Sequence, residues 1–162
     1  MTAEMARSAA ITVFVILLSA CVSTAQPRAP FESANGFKFK VYDGAGTYDS
    51  GTTLYTPQQC GNSYAPMQIA MDQETFDAIE GLVEAGALWD AHVSPVPNCS
   101  VIDVALPEES YYFEAGERSV SIRIGQCQAV DPKHAAHLNA IRRLVRLQSD
   151  RYPARLPKCV YF

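Results

Sequence analysis

The chain has 162 residues, of which 48% are hydrophobic, and its formal net charge at pH 7 is −4. A chain of this length and composition accommodates one globular domain. The acidic balance argues against nucleic acid as a partner, because binding to phosphates requires a basic surface.

The N-terminal segment has the pattern of a bacterial export signal. Arg7 precedes an apolar run over residues 9–20, and this run is shorter than the roughly 20 residues that a membrane-spanning helix needs. It ends at Leu18-Ser19-Ala20-Cys21, which resembles the lipobox of bacterial lipoproteins. The resemblance implies that residues 1–20 are a signal peptide and that the Cys21 thiol carries lipid, with several acyl chains giving a stable anchor. The alternative is an ordinary signal peptide in which Cys21 is incidental.

The residues after Cys21 predict where the protein resides and how it is tethered. In Gram-negative lipoproteins, an aspartate directly after the lipidated cysteine commonly retains the protein in the inner membrane. By analogy, Val22 favours the outer membrane, with the domain facing the periplasm. Residues 21–36 are rich in small residues and contain two prolines, a composition typical of an extended tether. A single domain is then predicted over residues 37–162.

The predicted domain begins with strands. Apolar and polar residues alternate over residues 37–42, which predicts a half-buried strand. A turn at Asp43-Gly44 leads to a second strand over residues 47–56, with a kink at Gly51, and the two strands are expected to form a hairpin. A third, short strand is predicted over residues 67–70.

Two helices are predicted, each with a recognisable start. The first follows Asp72, whose carboxylate suits the N-cap, and ends near Gly86. The second has Asp131 as its N-cap and Pro132 at its first position, and it ends before Pro153. Both helices carry an apolar stripe at helical spacing, formed by Phe76, Ile79, Leu82 and Val83 in the first and by Leu138, Ile141, Leu144 and Val145 in the second.

Three further strands are predicted between the two helices. They cover residues 101–106, 111–114 and 118–124, and the last two form a hairpin over Ala115-Gly116-Glu117. The resulting element order is ββ(β)αβββα. This order predicts an α+β domain in which an antiparallel sheet has both helices packed on one face.

The four cysteines after Cys21 predict two disulfides, because an even number of cysteines in an oxidising compartment normally pairs. Three connectivities are available. Cys99 precedes the second group of strands and Cys127 follows it, so antiparallel pairing favours a bond between them. Cys60 and Cys159 then remain to clamp the C-terminal tail. The rival interpretation, a zinc site with four thiolates, is disfavoured because no close C-x-x-C pair is present.

The domain also resembles small bacterial envelope domains of unknown role and, more distantly, the emfourin-type inhibitors of metallopeptidases. The similarity extends over residues 37–148. It rests on the initial hairpin, the helix sequence over residues 76–83, the Leu88-Trp89-Asp90 exit, the strand with Cys99 and Asp103, and the hairpin that ends in Cys127. The resemblance implies a module that binds a protein and does not turn over a substrate, and it carries over no active-site residue.

Two pairs of side chains could bind a metal ion or act as acid and base in a reaction. His134 and His137 lie on one face of the second predicted helix and could chelate a metal, but no cluster of carboxylates supplies a third ligand. Glu108 and Glu109 could serve glycoside hydrolysis, although such a pair after a proline is usually an exposed turn. The sequence therefore predicts no metal site and no cofactor.

A third arrangement would be a hydrolytic triad. His92 is close in sequence to Asp90, and Ser94 or Ser100 would complete a triad. The sequence lacks the Gly-x-Ser-x-Gly elbow that would expose such a serine. We therefore predict no catalytic residue, and His92 is expected to lie in a loop.

Opposite charges are concentrated on the two predicted helices. Residues 72–90 contain acidic and no basic side chains, whereas residues 131–158 are rich in arginine and lysine. These charges could form complementary solvated faces on neighbouring helices. Alternatively, Arg142, Arg143 and Arg146 could form a basic patch that docks anionic lipid head groups or an acidic partner.

Tyrosines on the predicted strands suggest a second contact surface. Since the helices are expected to cover one face of the sheet, the other face is open, and tyrosine is enriched at binding hot spots. Tyr111 and Tyr112 are the predicted binding residues among Tyr42, Tyr48, Tyr55, Tyr64, Tyr111 and Tyr112.

The predicted function is that of a lipid-anchored envelope lipoprotein that binds or inhibits a protein. The alternatives are a structural envelope lipoprotein and a small envelope enzyme or metal-binding protein.

Overall fold

The structure, a computed structural model, describes residues 33, 35–59, 62–100 and 108–151. The signal peptide, Cys21 and nearly all of the tether lie outside these residues. So do the strand predicted over residues 101–106 and the cysteines Cys60 and Cys159. The interpretations that concern them stay predictions.

Nine strands and two helices form the described part of the chain. The strands are β1 (Lys38–Tyr42), β2 (Gly46–Asp49), β3 (Leu54–Gln59), β4 (Asn62–Ser63), β5 (Met67–Gln68), β6 (Val93–Pro95), β7 (Glu109–Ala115), β8 (Arg118–Ile124) and β9 (Gln128–Val130). The helices are α1 (Gln73–Ala85) and α2 (Pro132–Ser149), and a 3₁₀ turn covers Leu88–Asp90. The main antiparallel sheet has the order β4-β3-β2-β1-β7-β8 with β5 paired to β3, and β6 pairs with β9 in a small second sheet.

The α+β class with an antiparallel sheet and two helices is confirmed, but the predicted order ββ(β)αβββα is wrong in detail. The predicted single strand over residues 47–56 is in fact β2, a turn and β3, which pair with each other. The turn is stabilised where the Asp49 carboxylate accepts a 2.9 Å hydrogen bond from the Gly51 N–H. Thr53 adopts a left-handed backbone conformation at φ 56°, so the chain reverses where the sequence suggested only a kink.

Alternation along the central strands divides the sheet into a covered face and an open face. Phe39 and Val41 of β1 point to the covered face, and they lie opposite Phe113 and Tyr111 of β7. Together with Ile122 of β8 they belong to the buried hydrophobic core of the described residues. Both helices supply residues to this cluster, namely Phe76, Ile79 and Val83 from α1 and Leu138, Ile141 and Val145 from α2. The helices therefore pack on one side of the sheet.

The predicted helix starts are confirmed. The Asp72 carboxylate accepts a 2.7 Å hydrogen bond from the Thr75 N–H at the start of α1. The Asp131 carboxylate accepts one of 2.9 Å from the Lys133 N–H at the start of α2, with Pro132 in the first position. These bonds satisfy backbone donors that have no partner within the helix.

Gly86 ends α1 as predicted, but its φ of −82° is not one that requires glycine. The left-handed residue is Ala87, with φ at 47°. A Cβ atom at position 86 would lie 2.7 Å from Cγ of His137. Glycine is therefore required here by the close approach of α2.

The predicted bond between Cys99 and Cys127 is confirmed, and the two Cα atoms lie 5.3 Å apart. It is the one disulfide within the described ranges. The Val96 N–H donates a 2.8 Å hydrogen bond to the Cys127 carbonyl beside it, so the covalent link adjoins the small β6–β9 sheet.

Neither described helix has the combination of length and apolar character that crossing a membrane requires.

Candidate functional site

The open face of the main sheet carries a concave depression of about 760 Å³. Its floor is built from residues that alternate with the core residues of the same strands. Lys40 of β1 lies beside Asp49 of β2 on one side and Tyr112 of β7 on the other. Tyr112 in turn lies beside Ser121 of β8. The depression thus crosses four adjacent strands on the side away from both helices.

The charges around the depression are balanced. Its lining contains three basic side chains, Lys38, Lys40 and Arg123, and three acidic ones, Asp49, Glu108 and Glu114. The surface therefore offers many hydrogen-bonding groups with no net charge.

Two of these charged side chains are held by neighbours on the same face. The Lys40 ammonium lies 2.9 Å from the Asp49 carboxylate, and this hydrogen bond raises the pKa of Lys40 above its ordinary value. The Tyr112 hydroxyl donates a 2.7 Å hydrogen bond to Glu114, which raises the pKa of Tyr112. The acidic partners therefore fix the positions of the lysine and tyrosine polar ends on this face.

The structure separates the two tyrosines that the sequence placed on this surface. Tyr112 is half-buried and faces the depression, but the Tyr111 side chain is only 1% exposed and lies in the core, so its prediction as an exposed contact is wrong. Its hydroxyl donates a 3.0 Å hydrogen bond to Glu109. Tyr42, Tyr48 and Tyr55 are also buried, and Tyr64 is half-buried.

The three predicted binding arginines lie on α2, which covers the face opposite Tyr112. Arg142 is paired with Glu109 and also donates a 3.0 Å hydrogen bond to Asn139. Arg143 and Arg146 are exposed. The basic patch is therefore partly neutralised, and the structure does not bring it together with the tyrosine surface.

The histidines do not form a common site. His134 is 3% exposed and belongs to the interior, whereas the His137 ring lies against Gly86 with its Nδ1 2.8 Å from the Lys133 carbonyl oxygen. His92 is exposed, and its Nδ1 lies 3.3 Å from the backbone oxygen of Asp90. Within the described ranges, no group of three or more histidine, cysteine or acidic side chains is arranged to hold a metal ion.

Sequence reasoning missed a buried polar cluster around Asp43. The Asp43 carboxylate accepts hydrogen bonds of 2.8 and 2.9 Å from the N–H groups of Ala45 and Gly46. It also accepts bonds from the Tyr55 hydroxyl at 3.1 Å and the Ser149 hydroxyl at 2.8 Å. Burial raises the pKa of Tyr55. The Asp-Gly turn signal located Asp43, but no local pattern pointed to its partners.

A second cluster missed from the sequence joins α1 to the β7–β8 turn at the surface. Glu84 accepts a 2.9 Å hydrogen bond from the Trp89 indole and lies 2.8 Å from the Arg118 guanidinium. The guanidinium is also 4.5 Å from the centre of the Trp89 ring, which is a cation–π contact. Within this cluster, Glu84 is bound by both the Trp89 indole and the Arg118 guanidinium, which also contact each other.

No known protein family, curated protein or solved structure matches the chain. The chemistry of the described side chains is therefore the basis on which a function can be proposed.

Proposed function

We propose that this protein is a binding module held at the bacterial cell envelope by lipid on Cys21, with the open sheet face as its binding surface. The observation that carries the proposal is the depression of about 760 Å³ on that face. Its volume lies within the range of roughly 300–1,000 Å³ that is usual for ligand sites. Because the helices bury the other face, this is the side on which a ligand meets the sheet.

Binding without turnover is supported by the positions of the reactive side chains. A catalytic site needs a nucleophile or base within hydrogen-bond reach of the group that assists it. His134 is in the core, His137 packs against α1 and His92 lies on an exposed loop. None of these histidines lines the depression.

The envelope location is proposed from the lipobox resemblance at residues 18–21 and from Val22, which favours the outer membrane. The test is labelling of cells with an alkyne-bearing palmitate, followed by fractionation. We expect the wild type to be labelled and to sediment with outer membranes, and Cys21→Ala to be unlabelled and to leave the outer-membrane fraction. A labelled Cys21→Ala variant would contradict lipidation of this residue.

The binding surface is tested by crosslinking in cells. A benzophenone side chain placed at position 121 lies on the open face, whereas one at the exposed position 77 on α1 serves as the matched control. We expect a discrete crosslinked product from position 121 and none from position 77. A protein partner, which the resemblance to metallopeptidase inhibitors implies, would appear as a product of defined mass. Equal crosslinking from both positions would contradict the assignment of this face, as would the absence of any product from position 121, whether with a protein or with a polysaccharide.

A further inference from the structure

We propose that the ligand of the open face is a neutral glycan chain, with the Tyr112 ring as the platform for one sugar ring. This inference rests on the proposed function, since it names the class of ligand for the same depression. Three properties of the face support it: the kind of side chain that lines it, the balance of its charges and its continuous extent across the strands.

The face lacks the apolar anchors on which tight protein–protein contacts depend. Binding energy at such contacts is concentrated in a few large side chains that insert into desolvated pockets. The large hydrophobic side chains that are exposed in the described ranges are Val96 and Leu147, and neither lines the depression. The Tyr112 ring is the aromatic surface that the floor presents. A hydroxyl-rich ligand fits this lining better than a protein hot spot does.

The charge balance disfavours a strongly anionic ligand. Nucleic acids and anionic lipid surfaces are held by an excess of lysine and arginine. Here three basic and three acidic side chains surround the depression, and Lys40 is directly paired with Asp49. Paired carboxylates, ammonium groups and serine hydroxyls offer both acceptors and donors at close spacing. Sugar hydroxyl groups, which donate and accept equally, can use both.

The geometry provides a platform with polar groups on both sides. Asp49, Lys40, Tyr112 and Ser121 lie in register on four adjacent strands, which places them along a line of about 14 Å at the usual spacing of strands. The face of an aromatic ring is electron-rich, so it attracts the C–H groups of a sugar ring. Lys40 and Ser121 flank that ring and can bind the hydroxyls of the adjoining sugars.

The test measures glycan binding by the purified full chain in detergent. The probes are two neutral tetrasaccharides, of β1,4-linked N-acetylglucosamine and of β1,4-linked glucose, studied by calorimetry, and insoluble chitin studied by co-sedimentation. We expect wild-type binding to at least one probe, a tenfold or greater loss for Tyr112→Ala, and less than threefold loss for Tyr112→Phe, which retains the ring. Asp77→Ala, on the exposed side of α1 and away from the depression, is expected to bind as the wild type does.

The outcomes separate this inference from the proposed function. Binding to none of the probes overturns the glycan assignment, as does binding that Tyr112→Ala leaves unchanged while its circular dichroism shows a native fold. If a protein crosslinks at position 121 and no glycan binds, the binding face stands and the glycan assignment fails. If position 121 yields no crosslink and no glycan binds, both proposals fail.

Discussion

The hydroxyl of Ser149, in the last residue of α2, donates a 2.8 Å hydrogen bond to the carboxylate of Asp43, which lies 106 residues earlier in the chain. Asp43 follows β1 directly and is 2% exposed. The same carboxylate accepts a bond from Tyr55 of β3. A single buried acid thereby joins the end of α2 to two strands of the sheet.

Removing this acid should destabilise the domain more than removing the Ser149 hydroxyl does. We expect Ser149→Ala to lower the free energy of unfolding by about 1–2 kcal/mol and Asp43→Ala by about 3–5 kcal/mol, because the latter leaves several buried donors without an acceptor. Urea unfolding at pH 7 measures both. The double variant should cost less than the sum of the two, since the residues share a bond. Equal costs for Asp43→Ala and Ser149→Ala would contradict a central role for the carboxylate.

The Cys99–Cys127 bond should contribute measurably to stability. It closes a loop with a sequence separation of 28, for which the loop-entropy treatment gives about 3.5 kcal/mol. The Cys99→Ser/Cys127→Ser variant should unfold at a correspondingly lower urea concentration.

Thiol titration of the unfolded, unreduced wild type tests the second predicted pair, since a Cys60–Cys159 bond leaves no free thiol in the chain after Cys21. Two free thiols per chain would show that this second bond is absent.

The N-cap of α1 should give a pH-dependent contribution. Hydrogen bonds from Thr75 lower the pKa of Asp72 below its ordinary value of 3.8. A lowered pKa in the folded state means that the stabilisation is present above the ordinary value and is lost as the pH falls through the lowered one. We expect Asp72→Ala to cost about 1 kcal/mol at pH 7 and progressively less below pH 4. Unfolding curves between pH 2 and pH 7 provide the measurement, with Asp77→Ala on the exposed side of α1 as control. A cost that does not change with pH would rule out the carboxylate charge as its source.

Replacing the buried imidazole of His134 by an apolar side chain of similar size should stabilise the domain. Neither of its ring nitrogens has a hydrogen-bonding partner within the described part of the chain, and an unsatisfied buried polar atom costs about 1–3 kcal/mol. We expect His134→Leu to raise the free energy of unfolding by about 1–2 kcal/mol, whereas His134→Ala should lower it because a cavity remains. Thermal and urea unfolding distinguish the two. Strong destabilisation by leucine would indicate that the imidazole has a polar partner.

Much of the secondary structure could be predicted because it depends on neighbours along the chain. The helices begin where Asp72 and Asp131 were predicted to cap them, since an N-cap bond spans only two or three residues. The 118–124 strand was recognised by alternation of period two. By contrast, the turn between β2 and β3 was missed because the Thr- and Tyr-rich composition on both sides of it reads as one continuous strand.

The candidate site was predicted only in outline. Alternation required Tyr111 and Tyr112 to point to opposite faces of their strand, but it did not show which of them meets the helices. Pairing of Tyr111 with Val41 at the centre of the sheet decided this, because α1 and α2 cover that side. The basic patch was predicted from composition, and its partial neutralisation by Glu109 depends on a contact between α2 and β7.

The sequence by itself thus determined the class of fold, the two helix starts and the pairing of Cys99 with Cys127, because each follows from short-range hydrogen bonding or from the order of strands. Tertiary structure alone decided which tyrosine faces the depression, and it alone brought Ser149 to Asp43. Both outcomes depend on residues that are distant in the chain and meet only when the helices pack on the sheet. No local pattern of residue types predicts contacts between residues that are so far apart in the chain.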